Sequence, residues 1–278
     1  MTIEELINLA LIEDLGDGDH TSLATIPGTA KGEAVLTAKE NGILAGVKVA
    51  AQVFRAVDPD IIIDFQKNDG AYIQGGDVVF TLKGKSQSLL SAERTALNFI
   101  QRMSGIATFT HQIAQKLEGL RTKILDTRKT TPCNRVVEKL AVKIGGGHNH
   151  RFGLYDMIMI KDNHVDFSGG IQQAIKATKT YLSKQEKKLK IEIEVRNFSE
   201  LDEVLLTGGV DRIMLDNFTP DDLFLAVQLI NKRYETEASG GISINNIREY
   251  AETGVDFISV GALTHQIKSL DFSLNVML

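Results

Sequence analysis

The stretch "DMIMIKDNHVDFSGGIQQAIKATKTYLSKQEKKLKIEIEV", residues 156–195, decides the fold class. It opens and closes on short strand-like runs, DMIMIK (156–161) and KIEIEV (190–195), and GGIQQAIKATKTYLSK (169–184) between them has helical periodicity. Two strands joined by a helix that carries the chain back across them make a parallel βαβ unit. The alternation extends outward from here. Further strand-like runs stand at KILDT (123–127), DRIMLD (211–216), ETEAS (235–239) and DFISV (256–260), and a second helical pattern lies in TPDDLFLAVQLINKRY (219–234). Six strands in roughly 140 residues, without a dinucleotide-binding glycine fingerprint after the first, predict an α/β chain with a small or incomplete barrel rather than a doubly wound sheet.

The first hundred residues follow another pattern. MTIEELINLALIEDLGDGD reads as an amphipathic helix, and GEAVLTAKENGILAGV (32–47), DIIIDFQKND (60–69) and GDVVFTLKG (76–84) read as antiparallel strands joined by Gly, Asn and Asp turns. This predicts a second, α+β domain. A long helical pattern follows, with Leu89, Leu90, Ala96, Leu97, Ile100 and Met103 on its apolar face, and leads through SGIAT (104–108) to the barrel. The composition, 278 residues with 43% hydrophobic and 24% charged, fits a globular chain with two unequal domains. No apolar run approaches the ~20 residues needed to cross a bilayer. The first helix lacks the cationic start and unbroken apolar stretch of a signal peptide. A single cysteine, Cys133, excludes an intrachain disulfide framework and a multi-cysteine zinc site, so a reducing cytoplasm is expected.

The formal net charge is −5. Residues 121–164 hold nine cations against four anions, a local balance of +5 that leaves −10 for the rest of the chain. An acidic chain that concentrates its positive charge in one segment suits a small anionic ligand better than a nucleic acid. The strand ends say where. In an α/β barrel the loops after the strands converge on one face. Thr127, Arg128, Lys129 and Thr130 follow the first strand, Lys161 the second, Glu194 ends the third and Asp216 the fourth. Ser239, Gly240 and Gly241 follow the fifth, and Val260, Gly261 and Ala262 the sixth, each group read as opening a helix whose N–H groups could hold a phosphate. Singly, each is an ordinary loop charge, cap or turn; their coincidence on one face is not. His148, His150 and His164 could begin a zinc site, but Arg151 and Lys161 beside them argue against a dication there. Glu194 and Asp216, hard oxygen donors, suit Mg²⁺ held partly by substrate and water. Together these groups predict two ligands, a small polycarboxylate and a sugar polyphosphate.

The motifs EDLGDGDHTS (13–22), SAERTALNFIQRMSGIAT (91–108), DTRKTTP (126–132), GGGHNHRFGLYDMIMIKDNH (145–164), EIEV (192–195), LDNF (215–218), EASGGI (237–242), ISVGALTH (258–265) and DFSL (271–274), in this order, resemble the quinolinate phosphoribosyltransferases, the decarboxylating nicotinate-nucleotide pyrophosphorylases. The resemblance implies a type II phosphoribosyltransferase fold: an N-terminal α/β sandwich domain with its linker helix (1–108), an incomplete seven-stranded α/β barrel (109–266) and a C-terminal segment returning to the first domain (267–278). It implies a homodimer or higher assembly with shared sites that takes quinolinate and 5-phosphoribosyl-1-diphosphate, with Mg²⁺, to nicotinate mononucleotide, pyrophosphate and CO₂. Arg128, His150, Arg151 and Lys161 match positions clamping the two carboxylates, Arg94 one supplied by the partner subunit, and Thr127 and Lys129 the diphosphate and ribose. Glu194 and Asp216 match the ribose and metal positions, and Ser239, Gly240, Gly241, Val260, Gly261 and Ala262 those at the 5′-phosphate. The alternatives are a related protein of the same fold linked to molybdenum transport, a barrel lyase or aldolase with Lys161 as Schiff base, and a non-enzymatic basic-patch module.

Overall fold

The structure, a computed structural model, describes residues 1–277; Leu278, the end of the expected C-terminal segment, lies outside the described residues. In chain order the elements are α1 (Ile3–Leu15), α2 (His20–Thr25), β1 (Lys31–Ala38), β2 (Gly42–Ile43), α3 (Val47–Val57), β3 (Ile62–Phe65), β4 (Tyr72–Ile73), β5 (Val78–Lys85) and α4 (Ser86–Lys116). There follow β6 (Lys123–Leu125), α5 (Arg135–Ile144), β7 (Ile158–Ile160), α6 (Asp162–Ser168), α7 (Ile171–Lys184), β8 (Ile191–Val195), α8 (Phe198–Thr207), β9 (Arg212–Asp216), α9 (Pro220–Ile230), β10 (Glu235–Ser239), α10 (Ile247–Glu252), β11 (Phe257–Ser259), α11 (Ala262–His265) and β12 (Phe272–Met277). Two compact units interleave along the chain. One takes residues 1–111, 129–146 and those from Leu263 onward, and the other takes 112–128 and 147–262. The segment 129–146, which the motif order places inside a continuous barrel domain, thus clusters with the N-terminal unit.

In the first unit, a four-stranded sheet runs in the order β12, β1, β5, β3, every pair antiparallel. Ala34, Leu36 and Ala38 alternate along β1 as its buried positions, the two-residue period of a sheet with one packed face. Ala50 and Phe54 of α3 and Ala96, Leu97 and Ile100 of α4 line the same small apolar void as Leu36 and Leu274, so the sheet and both helices share one core. Phe54 and Phe80 meet edge to face with centroids 6.1 Å apart. The helical pattern expected from residue 89 does not stop at SGIAT. Helix α4 continues through Gly105 because its bare backbone lets another segment pass: a Cβ there would stand 2.3 Å from the Lys268 carbonyl oxygen.

The second unit contains all six strands expected from the sequence, hydrogen-bonded in the order β6, β11, β10, β9, β8, β7, with each pair parallel. Every residue of β8 is buried, as a strand covered on both faces requires. The period of two then puts Ile191, Ile193 and Val195 on one face and Glu192 and Glu194 on the other. Register aligns Glu192 with Arg212, Arg212 with Glu235, and Asp216 with Ser239. The seventh strand position that the resemblance implies is reduced to one parallel bridge, Leu125 with His148. His148 N donates to Ile124 O (2.8 Å) and Asp126 N donates to His148 O (3.0 Å). The next amide that could extend the ladder, His150 N, donates instead to the Asp126 carboxylate (2.8 Å), which ends the pairing. Among the described residues no helix is long and apolar enough to cross a membrane.

Gly105→Ala should lower stability by about 1–3 kcal/mol through overpacking against the Lys268 backbone, measured as a shift of the denaturant midpoint with unchanged slope.

Candidate active site

The C-terminal ends of the strands in the second unit carry the charged groups that the sequence singles out. Lys161, the residue after β7, caps α6, and its amide donates to His164 Nδ1 (3.0 Å). That bond gives His164 a capping role. Across the neighbouring strand, Lys161 Nζ donates to Glu194 Oε2 at 2.6 Å, with the lysine side chain 44% exposed and the glutamate 9%. Two residues assigned from sequence to different ligands are therefore a direct ion pair.

At the end of β9, Asp216 Oδ2 accepts from Asn217 Nδ2 (2.7 Å), and Asn217 takes a left-handed conformation, φ 57°. Asn217 N donates to Ser239 O (2.8 Å), tying this end to the glycine turn after β10. Gly240 is required there twice over: its φ is +93°, and a Cβ would lie 2.2 Å from Asn217 Oδ1. Gly241 has φ +64° but open space around it. The turn does not open a helix, contrary to the expectation from sequence. Residues 242–246 intervene before α10, held by Ser243 N donating to Asn246 Oδ1 (2.7 Å). Gly261 does stand directly before α11, whereas the Val260 amide is committed to Leu125 O (3.0 Å).

Arg151 is half-buried, with Nη1 donating to Met157 O (3.3 Å). Burial, and next the positive charge of Arg128, hold its guanidinium pKa below the usual value. Like charges gathered in a partly desolvated place oppose stability and suit an anion. His150 faces the other way. Its Nε2 stands 3.0 Å from Glu192 Oε2 and 3.4 Å from Glu237 Oε2, and its Nδ1 accepts the Arg151 N–H (2.6 Å). Burial disfavours the imidazolium, yet the two carboxylates outweigh it and push the pKa up to about 9. The Arg151 N–H at Nδ1 opposes that second proton, so the two influences pull in opposite directions; a ring that keeps this hydrogen bond carries its one proton on Nε2, on the side of the carboxylates. Burial, and then the charge of Glu237, raise Glu192 to about 7. Arg212 and Glu237 offset each other's charge directly, Nη1 to Oε2 at 2.9 Å. His150, Glu192 and Glu237 are also the described residues whose donor atoms could surround a metal; the grouping of His148, His150 and His164 does not form.

The first unit holds the remaining candidates. Arg94 is exposed on α4. Lys129 is exposed in the loop after β6, and its carbonyl accepts from Thr264 Oγ1 (2.8 Å). The same loop is fastened at Thr131, whose amide donates to Glu138 Oε2 (3.1 Å) and whose hydroxyl accepts from Arg102 Nη2 (3.0 Å), while Arg102 Nη2 and Glu138 Oε1 pair at 2.7 Å. Sequence reasoning missed this pair and the cluster of Glu192, Arg212 and Glu237. The alternation I-E-I-E in KIEIEV held a signal for the second, since a strand buried on both faces must turn its glutamates inward.

Family models decide what these groups belong to. The model described as "Quinolinate phosphoribosyl transferase, C-terminal domain" matches residues 106–275, and its N-terminal counterpart matches residues 19–104. The chain belongs to the quinolinate phosphoribosyltransferase family. A chloroplastic relative in Oryza sativa subsp. japonica, named as a carboxylating nicotinate-nucleotide pyrophosphorylase, is 45% identical over 289 residues, covering 99% of this chain and 77% of that protein. A probable nicotinate-nucleotide pyrophosphorylase of Bacillus subtilis is 42% identical over 278 residues, covering 100% of this chain and 94% of the other. Among solved structures, NadC from Streptococcus pyogenes superposes with a TM-score of 0.93 at 39% identity, over 99% of this chain and 97% of that one. The nicotinate-nucleotide pyrophosphorylase from Francisella tularensis gives 0.92 at 40%, over 99% and 96%. This quinolinate phosphoribosyltransferase-family chain thus shares the type II phosphoribosyltransferase fold along its whole length.

The two glycines of the turn separate steric from conformational cost. Gly241→Ala should cost about 1 kcal/mol, for the left-handed backbone alone. Gly240→Ala should cost more, about 2–4 kcal/mol, because displacement of Asn217 is added; thermal unfolding of the two variants checks the order.

Proposed function

We propose that this chain transfers the phosphoribosyl group of 5-phosphoribosyl-1-diphosphate to quinolinate and decarboxylates the product, giving nicotinate mononucleotide, pyrophosphate and CO₂ in NAD synthesis. The observation that carries the reading is that Arg128 lies near enough to Arg151 to lower its pKa, with Lys161 at the end of β7 in the same unit, in a family whose relatives are named for this chemistry. Arg128, Arg151 and Lys161 bind the adjacent carboxylates of the pyridine ring; His150, whose two ring nitrogens face protein, adjoins this group. Charge-assisted hydrogen bonds to a carboxylate contribute about 1.5–3 kcal/mol each. Arg94 is the residue that a second copy lends to the site. Lys129, with Thr127, faces the diphosphate, and Ser239, Gly240, Gly241, Gly261 and Ala262 hold the 5′-phosphate with Val260 as their support.

Glu194 and Asp216 suit Mg²⁺ in their chemistry. Each carboxylate spends one oxygen on a neighbour, on Lys161 and Asn217 respectively, and keeps the other as a hard donor. When bound, Mg²⁺ would neutralise charge on the departing diphosphate. The protein's own part is positioning. Fixed carboxylates place the pyridine nitrogen against C1 of the ribose, and Lys129 offsets the charge that leaves. Once the ring nitrogen bears ribose it is cationic. The adjacent carboxylate then leaves as CO₂ with its electron pair stabilised by that charge, and a proton takes its place.

The lone Cys133 is exposed, which a reducing cytoplasm tolerates, and we place the chain there as a homodimer with shared sites. A Lys161 Schiff base is the second reading; its Nζ is engaged by Glu194 Oε2 at 2.6 Å rather than presented as a free amine, which counts against it.

Purified protein given both substrates and Mg²⁺ should release nicotinate mononucleotide and CO₂ in equal amounts; folded protein without turnover would sink the assignment. Arg151→Ala should raise KM for quinolinate by roughly 10- to 150-fold, the loss of one charge-assisted bond, and an unchanged KM removes Arg151 from the clamp. Inactive Arg94→Ala and Lys161→Ala subunits should regain activity when mixed into hybrid dimers. No recovery after demonstrated subunit exchange refutes sharing.

A further inference from the structure

The barrel interior of the second unit holds charge that the reaction does not use. Glu192 and Glu237 are fully buried and Arg212 nearly so, although an apolar layer would avoid the large desolvation penalty each of them carries. Their contacts form one connected series. Arg212 stacks 4.0 Å over the Phe257 ring, and its Nη1 donates to Glu237 Oε2 (2.9 Å) while Nη2 donates to Glu235 Oε2 (3.2 Å). Glu237 and Glu192 both face His150 Nε2. On the far side of the ring, Nδ1 receives the Arg151 N–H. The His150 side chain is 5% exposed, and both ring nitrogens are turned to protein. The donor set His150, Glu192 and Glu237 could suit a divalent cation, but the Arg212 guanidinium already sits on Glu237, and adding a dication would leave buried positive charge without compensation.

We infer that His150 works through Arg151 rather than on the substrate: Glu192, Glu237 and Arg212 fix the imidazole so that its Nδ1 holds the Arg151 amide and aims the guanidinium at a quinolinate carboxylate. The inference rests on the reading of Arg151 as a carboxylate clamp. His150, Glu192, Glu237 and Arg212 are then positioning residues. The arrangement follows a general device in which a histidine's far nitrogen is oriented by carboxylates behind it, here serving a backbone amide in place of a metal or nucleophile. The Arg151 guanidinium is anchored by the Met157 carbonyl at 3.3 Å, a single contact at the edge of hydrogen-bond range, so its aim depends on where its backbone is held.

The test combines kinetics with a spectroscopic signature. In His150→Asn and in Glu237→Gln, KM for quinolinate should rise roughly tenfold with kcat within about threefold of wild type, the pattern of lost uniform binding. KM for 5-phosphoribosyl-1-diphosphate should not change. The double variant His150→Asn/Arg151→Ala should bind quinolinate no worse than Arg151→Ala alone, because both act along one path. Additive losses would show that His150 touches the substrate and would overturn the inference. If Arg151→Ala raises KM while Glu237→Gln leaves it unchanged, the series is refuted and the clamp stands; if Arg151→Ala leaves KM unchanged, the clamp itself fails. Should the variants not fold, ¹⁵N-histidine NMR of the wild-type enzyme decides. His150 should hold its proton on Nε2 with and without quinolinate. A proton on Nδ1, a tautomer change on adding quinolinate, or a stoichiometric transition metal in the purified enzyme each overturns the inference.

Discussion

A parallel strand closed inside a barrel has no solvent face, and this constraint shapes the second unit. Whatever the period of two turns inward must be apolar or must find partners inside. On β8 the inward positions are both glutamates, about 6–7 Å apart along the strand, and their different depths give them different company. Glu194, near the rim, pairs with a lysine that is itself nearly half exposed. Glu192, one step deeper, is surrounded by a histidine, a second glutamate and an arginine. One repeat of the strand separates a residue that can meet ligand from one that can only meet protein. The rim holds the groups proposed to bind anions, and the layer beneath it meets protein alone.

Local pattern carried much of this fold. The strands β6 to β11 and their parallel order were legible because two-sided burial writes nearly continuous apolar runs between helical repeats. The antiparallel N-terminal sheet was legible from turn residues. What the pattern did not carry is pairing between distant segments. The seventh barrel position is a single bridge at His148, ended by a side chain, Asp126, taking the amide that a longer ladder would use. Helix α4 runs on past Gly105, whose missing side chain leaves room for a backbone from far along the chain. The assignment of residues 129–146 to the first unit likewise depends on contacts that periodicity cannot encode.

The candidate site divides in the same way. Residues at strand ends announced themselves by charge and by position, and the glycine at 240 by the turn it makes. Their pairings did not: neither the Lys161–Glu194 contact nor the inward orientation of His150 has a sequence spacing of its own. Arg102 and Glu138 stand on two different helices, and only the folded unit shows that they grip the loop bearing Lys129. A buried pair of this kind costs desolvation and returns it through several hydrogen bonds to one loop. Loop geometry at such a site is thus a property of the helices beneath it.

The pairing of β1 with β12 bears on how the molecule is made. Glu33 lies opposite Met277 and Ala38 opposite Phe272, so one edge of the first sheet is completed by residues synthesised long after β1, with the whole second unit between them. Until they emerge, β1 offers an open row of amides and carbonyls to any passing strand. The N-terminal sheet therefore cannot close until the second unit has been made, and assembly of this first unit waits on a pairing between distant parts of the chain.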